Sequence, residues 1–364
     1  MIIKIDALDT LFFRDGKPFA MDEDTWANSI FPPSPSVIYG ALRSTYFSHH
    51  IDKLECANKD NDPTKNLIIK GIYILTDGAI HLPLPNDCVR KKKETKNDKD
   101  VVSILTMSEL NELKDIKIKC SCPTQYALTS NEIIEGIDNG LINIYSLKEY
   151  LKCTNAVLYS ILEKNRILSE PKIGIGINKK TGTSEDGKLY RVDMKRLENK
   201  KGEKLSIIVD FEGLDDLPKM GMMKLGGEGK AISYEQFKSI DFSFENFNLN
   251  GNKFKLYLST PAIFKNGWLP AWIDENTLIG EYKGIKLKLL TASIGKIIHI
   301  GGFDMKAKKP KPMYKAIPQG SVYYFEIIEG DIQTVFKTFN NYAISDIYLE
   351  QGFGIAFVGG IKDV

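Results

Sequence analysis

The chain has 364 residues, more than a single hydrophobic core usually supports, so its length predicts two domains. Hydrophobic residues make up 43% and charged residues 26% of the sequence, which is typical of folded globular proteins and excludes a disordered or fibrous chain. The formal net charge is only +2, so nucleic-acid binding would require a local basic surface.

The cysteines and the hydropathy pattern indicate where the protein works. Five cysteines, an odd number without paired spacing, argue against a disulfide framework and favour the reducing cytoplasm. Cys120 and Cys122 lack a second close pair, so no structural zinc site is predicted. The sequence has no basic N-terminal segment before a long apolar run and no 18 consecutive apolar residues, so neither export nor a membrane span is expected.

The first predicted domain, residues 1–245, begins with a strand at 1–8 and a helix at 35–48 that Ser34 or Ser36 can cap. Strands at 68–75 and 79–84 follow, joined by Asp77-Gly78, a pair that suits a tight hairpin turn. A large insertion at about 86–204 then interrupts the pattern; it is predicted to contain a helix at 154–164 and a long hairpin at 172–195.

The pattern resumes after the insertion with a strand at 205–211, a short helix at about 214–220 and a strand at 231–234 after a glycine loop. Four of these strands and the two helices give the order β-α-β-β-α-β, which indicates a ferredoxin-like unit.

The second predicted domain, residues 246–364, repeats this order after a polar boundary near 246–252. Its strands are predicted at 254–259, 286–292 and 321–328. Apolar residues from Ile332 to Phe339 recur at helical spacing, and a glycine loop precedes the last strand. In that strand Phe353 and Phe357 are predicted to be core residues. The fold class predicted is α+β, with two tandem ferredoxin-like domains.

The glycine loop of the first domain is the leading candidate for ligand binding. Gly226, Gly227 and Gly229 would let backbone N–H groups approach phosphates, and Lys224 and Lys230 would neutralise them. From the residues alone, a simple turn before a strand is the better explanation.

Other cations near the proline-rich turn or in the inserted hairpin are candidates for phosphate contacts. They are Arg14, Lys17, Arg43, Lys172, Lys179, Lys180, Arg191 and Arg196, with Lys195 beside the last of them. Strand alternation in the hairpin could place several of them on one side. The alternative is solvated surface charge, or ion pairs such as Arg14 with Asp15 or Asp22.

No enzyme site is predicted. Asp215 and Asp216 resemble the metal-binding turn of nucleotide cyclases and polymerases, but Pro218 follows at once and no partner carboxylate is evident. Acid–base cleavage of RNA would need a histidine beside the scissile ribose, whereas His49 and His50 are expected at the end of the first helix. No catalytic residue, metal or cofactor is therefore assigned.

Collinear segments over nearly the whole chain resemble a known family. They are LFFRDGKPF at 11–19, Trp26, FPPSPSVIYGALRS at 31–44, the hairpin with LYRVD at 189–193, LGGEGK at 225–230, TPAIFKNGWLP at 260–270, PQGSVYYFE at 318–326 and the terminal GFG and GG glycines. Together they resemble the RAMP-superfamily subunit three of the type III-B CRISPR (Cmr) effector complex.

This resemblance implies a tandem ferredoxin-like, RRM-like RAMP protein that holds the 5′ tag end of crRNA without catalysis. It also implies docking on the large polymerase-like subunit and on a neighbouring RAMP backbone subunit. In the light of the resemblance, the glycine loop becomes a predicted clamp on the crRNA backbone. Two alternatives remain open: a CRISPR RNA-processing endoribonuclease of the same superfamily, and a scaffold that chiefly joins protein subunits.

Overall fold

The computed structural model describes residues 1–14, 26–92, 99–112, 122–178, 180–238, 251–304 and 308–361. In the first 236 residues the helices are α1 (Pro35–His49) and α2 (Ile144–Lys152), and the strands are β1 (Ile2–Ala7), β2 (Trp26–Ala27), β3 (Ile68–Thr76), β4 (Ala79–Pro83), β5 (Cys88–Lys91), β6 (Lys99–Ile104), β7 (Thr106–Glu109), β8 (Tyr126–Thr129), β9 (Ile134–Glu135), β10 (Gly140–Asn143), β11 (Leu158–Leu162), β12 (Leu168–Ile177), β13 (Ser184–Arg196), β14 (Ser206–Glu212), β15 (Met220–Lys224) and β16 (Ala231–Gln236).

From residue 253 onward the chain again consists mostly of strands. These are β17 (Lys253–Leu258), β18 (Ile279–Tyr282), β19 (Ile285–Ser293), β20 (Ile298–Ile300), β21 (Phe303–Asp304), β22 (Lys309–Pro310), β23 (Tyr314–Ala316), β24 (Val322–Glu329), β25 (Tyr342–Ala343) and β26 (Ile355–Gly360), with the helix α3 (Ile332–Phe339). The predicted α+β class is corrected in this respect, because the protein is mostly β-sheet with few helices. None of the described helices is both long and apolar enough to cross a membrane.

The larger sheet has the order β15-β16-β1-β14-β3-β4-β10-β11-β6-β5-β9. Its first half follows the predicted strands, and β3 and β4 turn through Asp77 and Gly78, which both have positive φ as predicted. Strands of the insertion extend this sheet from β4 outward, because β10 pairs with β4. The insertion also supplies the predicted long hairpin, β12 and β13, which pairs through β13 with β2 in a separate small sheet.

Two predicted helices are wrong. Residues 154–164 contain the strand β11, whose Leu158, Ile161 and Leu162 are buried, and the helix of this region is α2, which comes earlier. Asn143 caps α2 by accepting a hydrogen bond from the N–H of Ser146 at 2.8 Å.

Residues 214–219, all of them described, form turns rather than the second predicted helix. Leu214 and Leu217 are buried at a spacing that a helix and a turn share, and Pro218 cannot donate a helical hydrogen bond. The strand β15 follows directly. The first unit therefore has the helix α1 after β1, but residues 213–219 between β14 and β15 contain no helix.

The second sheet has the order β18-β19-β24-β17-β26-β25. The predicted strands and the helix α3 are confirmed, and the carboxylate of Asp331 caps α3 by accepting from the N–H groups of Gln333 and Thr334 at 2.9 Å each. The boundary predicted between residues 245 and 246 lies outside the described residues, so the domain division stays a prediction.

One hydrophobic core joins the two sheets. It contains Tyr73 and Ile208 from the first sheet and Tyr257 and Phe357 from the second. The Tyr257 hydroxyl donates to the Pro83 carbonyl oxygen at 2.6 Å, so a polar contact also crosses this boundary. Phe353 is fully buried in a neighbouring cluster, as the sequence predicts.

Gly213, directly after β14, offers a test of the packing at the end of the sheet. Its φ is +78°, and a Cβ there would lie 1.9 Å from the carbonyl oxygen of Asn66. Gly213→Ala should therefore lose more than the roughly 1–2 kcal/mol that left-handed backbone alone costs a non-glycine residue. Urea unfolding followed by circular dichroism measures the loss.

Gly78→Ala is the matched control, because Gly78 has a similar φ of +72° but nothing within 4 Å of the added Cβ. Equal destabilisation by the two substitutions would contradict the close approach at Gly213.

Candidate nucleic-acid interface

The glycine loop connects β15 to β16. Contacts of this loop with Phe12 explain why two of its positions are glycine. The N–H of Gly227 donates to the Phe12 carbonyl oxygen at 2.8 Å. A Cβ on Gly226, whose φ is +79°, would lie 2.4 Å from that same oxygen, and one on Gly227 would lie 2.9 Å from the Phe12 ring. The Gly227 N–H is therefore already used within the protein. Gly229 faces open space, with a φ of +64°.

Carboxylates pair with the cations around this loop. Lys230 Nζ lies 2.6 Å from Asp9, Lys172 Nζ lies 3.2 Å from Glu228, and Arg196 donates two hydrogen bonds to Glu170. The hydrogen bond from Lys230 is the main cause that lowers the pKa of Asp9.

Arg196 also lies 3.7 Å from Asp9, so Asp9 is shared between the loop and the hairpin. The structure thus places three of the predicted RNA-binding cations around the loop, with Arg196 and Lys230 sharing Asp9 and Lys172 paired separately with Glu228.

The hairpin places its cations on both faces rather than one, which corrects the idea of a single basic side. Residues directly opposite each other in an antiparallel pair point the same way. Lys172 is opposite Val192, and Arg191 is opposite Ile173, so Lys172 and Arg191 point to different faces. The Val192 face packs against Phe12 and Ala27.

The remaining candidates are dispersed. Arg43 donates to Thr64 Oγ1 at 2.7 Å and to Asp62 and Asn58, so it holds the loop after α1. Arg14 is exposed. Lys180 and Lys224 are exposed and make no ion pair with the described residues. Lys17 and Lys179 lie outside the described residues.

A cleft of about 820 Å³ lies between the two sheets and the end of the hairpin formed by Leu168, Ser169 and Lys195. Of the described candidate cations, Lys195 lines it. Three segments that carry the family resemblance meet there. They contribute Phe31 to Pro35, then Thr260 and Pro261, and Gln319. The sequence contained this signal, but only as separate motifs, because their convergence is a property of the fold.

Glu163 and His81 line the cleft and were not identified from the sequence. Burial raises the pKa of the Glu163 carboxyl to about 8, although Lys195 acts in the opposite direction. Burial also lowers the pKa of His81, whose Nδ1 lies 3.0 Å from the Ala79 carbonyl oxygen. At neutral pH the cleft therefore contains a mostly protonated carboxyl and a neutral imidazole, which suit hydrogen bonding to nucleobase edges.

Cations at the rim of the cleft can meet phosphates. Lys164 and Lys200 line it and are exposed, without an ion pair to the described residues. Lys195 also lines it but is paired with Asp193 at 2.7 Å. The cleft thus combines an uncharged interior with a basic rim.

The groups considered for catalysis do not converge. His50 ends α1 with its ring centroid 4.4 Å from that of Tyr46, and Asp215 and Asp216 are exposed in the turn after β14. No group of three or more His, Cys, Asp or Glu side chains suited to a metal occurs among the described residues.

Comparison with known proteins gives a family match over nearly the whole chain. The family described as CRISPR-associated protein (Cas_Cmr3) matches residues 3–360. A chain in the "Cryo-EM structure of the Type III-B Cmr-beta bound to cognate target RNA and AMPPnP, state 1" is similar at 18% identity with a TM-score of 0.53, covering 97% of this chain and 95% of that chain.

The structure of the same assembly bound to cognate target RNA alone gives the same identity, coverage and TM-score. At 18% identity this likeness concerns the fold. No curated protein matches the chain.

The raised pKa of Glu163 predicts a pH dependence of stability. Because the pKa of Glu163 is higher in the folded state, its protonation stabilises the folded protein. This stabilisation is lost as the pH rises from 4.5, the ordinary pKa of a glutamate, to about 8, the pKa in the folded state. Glu163→Gln should therefore flatten this decline and unfold at a higher temperature than wild type at pH 9. Thermal melting across pH 5 to 9 measures this, and parallel curves for the two proteins would show that Glu163 titrates normally.

Proposed function

Since the chain belongs to the Cas_Cmr3 family of CRISPR-associated proteins, we propose that it is a subunit of a type III-B Cmr effector complex that holds the 5′ tag end of crRNA. The observation that carries this proposal is the cleft, where three segments typical of the family converge on an uncharged interior with a basic rim. The protein would work in the cytoplasm, in association with crRNA.

The interior of the cleft and the exposed cations outside it would bind different parts of the RNA. Unstacked bases of the tag would enter the cleft, where Glu163 and His81 offer hydrogen bonds without a net charge. The RNA backbone would follow the exposed cations outside it. Lys224 and Lys180 are available for phosphates, whereas Lys172, Arg196 and Lys230 must first exchange a carboxylate for a phosphate. Exposed ion pairs are weak enough to allow that exchange.

The partners we propose are the large polymerase-like subunit and a neighbouring RAMP backbone subunit. The fold we propose is a tandem of ferredoxin-like units, supported by the strand orders. The order β16-β1-β14-β3 in the first sheet and the order β26-β17-β24-β19 in the second both place the first strand between the fourth and third. Each unit lacks one of the two helices of that fold among its described residues, the second in the first unit and the first in the second.

We propose that the subunit has no nuclease activity of its own. The supporting observation is that His81 is neutral and hydrogen-bonded, His50 packs on Tyr46, and the exposed His299 lies at the cleft and makes no ion pair with a carboxylate of the described residues. The endoribonuclease alternative would require one of these rings beside a scissile phosphate.

The cleft predicts a specific pattern of salt dependence. Lys164→Ala and Lys200→Ala should each weaken binding of tagged crRNA by the assembled complex. Each should also lower the slope of log affinity against log salt by roughly 0.7, the value for one lost phosphate contact on a single strand. Filter binding across a salt series measures both quantities.

Lys337→Ala on α3 is the matched control, since Lys337 is exposed and does not line the cleft. If Lys164→Ala and Lys200→Ala keep the wild-type slope and Lys224→Ala has a reduced slope, the RNA backbone binds at the glycine loop and not at the cleft.

Incubation of the purified chain with crRNA precursor, with and without divalent metal, should give no cleavage. Site-specific cutting that disappears in His81→Ala or His299→Ala, while thermal melting shows both variants folded, would overturn the non-catalytic proposal.

A further inference from the structure

A second cavity, of about 280 Å³, lies on the face of the second sheet that packs against the insertion. Residues 102–107, from the end of β6 to the start of β7, and residues 153–156 after α2 form its walls, together with Tyr324 and Lys255. Lys255 lies directly opposite Tyr324 on neighbouring strands, so both side chains point to this face. The volume exceeds that of several water molecules and holds a small polyatomic ion with its remaining hydration.

Lys255 is a central-strand lysine with only 1% of its surface exposed. Its Nζ lies 3.4 Å from the centroid of the Tyr150 ring, which partly compensates the charge. The ammonium group has three N–H donors, and it makes no hydrogen bond or ion pair with the described residues. An ammonium group on a buried side chain needs acceptors, and with no acceptor among the described residues the Lys255 Nζ must take them from the cavity that it lines, either from water or from an anion.

The nearest carboxylate cannot serve as that acceptor. Asp87 is fully buried, and its two oxygens accept hydrogen bonds from the hydroxyls of Tyr150 at 2.7 and 2.9 Å and of Tyr324 at 2.5 Å. Lys255 makes no ion pair with it within 4 Å. The tyrosine hydroxyls thus satisfy Asp87 and leave the Lys255 ammonium directed to the cavity.

We propose that this cavity binds a small oxyanion, with Lys255 Nζ as the central donor. The ligand class is phosphate or a carboxylate, because both offer several acceptor oxygens to one ammonium group. The neutral walls restrict the site to one small anion, and exposed Ser103, Thr106 and Ala156 mark its entrance. The cavity is separate from the crRNA cleft, and the inference does not depend on the proposed function.

Isothermal titration of the purified chain at constant ionic strength tests the site, with inorganic phosphate in one arm and acetate in the other. Saturable binding of at least one of them with one site per chain is expected, with a dissociation constant of roughly 1 mM. The tighter of the two identifies the source as a phosphate or a carboxylate.

Lys255→Met should weaken this binding at least tenfold. Because this substitution also removes a positive charge from the interior close to Asp87, a second variant, Ala156→Trp, separates an effect on binding from an effect on folding. Ala156 is an exposed residue of the cavity wall, so an indole there fills the entrance without altering Lys255. Val157→Trp is the matched control, because Val157 is 59% exposed and does not line the cavity.

Binding that Ala156→Trp abolishes and Val157→Trp retains supports the site. Absence of saturable binding up to about 20 mM of either anion, twentyfold above the expected constant, would overturn it. Equal binding by wild type and Ala156→Trp would do the same.

Discussion

The buried carboxylate of Asp87 is the contact on which the arrangement of the two sheets and the insertion depends. A buried charge must be satisfied by hydrogen-bond donors, and Asp87 accepts from the hydroxyls of Tyr150 on α2 and Tyr324 on β24. One residue earlier, the N–H of Asn86 donates to the Gly320 carbonyl oxygen at 2.7 Å. The start of the insertion is therefore joined to the second sheet through both backbone and side chain. Pro83 and Gln319, which lie close to these contacts along the chain, line the cleft.

Unlike the buried carboxylate of Asp87, the ion pairs around the glycine loop are partly exposed to solvent. The cations of the hairpin base and the glycine loop are partly exposed and shared among neighbouring carboxylates, with Asp9 bonded to Lys230 and near Arg196. Such pairs contribute little to stability in water, since screening and side-chain entropy offset most of the attraction. They do hold the hairpin and the loop in a defined orientation. An anionic ligand that replaces the carboxylates gains charge neutralisation without having to reorganise the backbone.

The sequence predicted those features that depend on residues close together along the chain. Strand alternation gave β1, β14, β17 and β24, and the Asp77-Gly78 pair identified its turn through positive φ. The predictions failed where local patterns are shared by different structures. Leu214 and Leu217 have helical spacing but bury themselves in a turn before Pro218.

The pairing of β10 with β4 makes the insertion part of the main sheet. Because the two strands are far apart along the chain, neither sequence indicates its partner. The cleft could not be predicted for the same reason. Its motifs are each visible in the sequence, but Glu163 and His81 acquire their protonation states only from burial by distant segments.

The contact of Gly226 and Gly227 with Phe12 has a consequence for evolutionary comparison. Any side chain at Gly226 would collide with the Phe12 carbonyl oxygen, whatever the protein binds. Selection on folding alone would thus keep Gly226 as glycine in related chains, whereas a Cβ on Gly227 would require only the Phe12 ring to shift. Invariance at Gly226 would carry no information about a ligand, and Gly229, whose φ is +64°, also favours glycine for a backbone reason. Lys224, which is exposed, is a position where invariance would be informative.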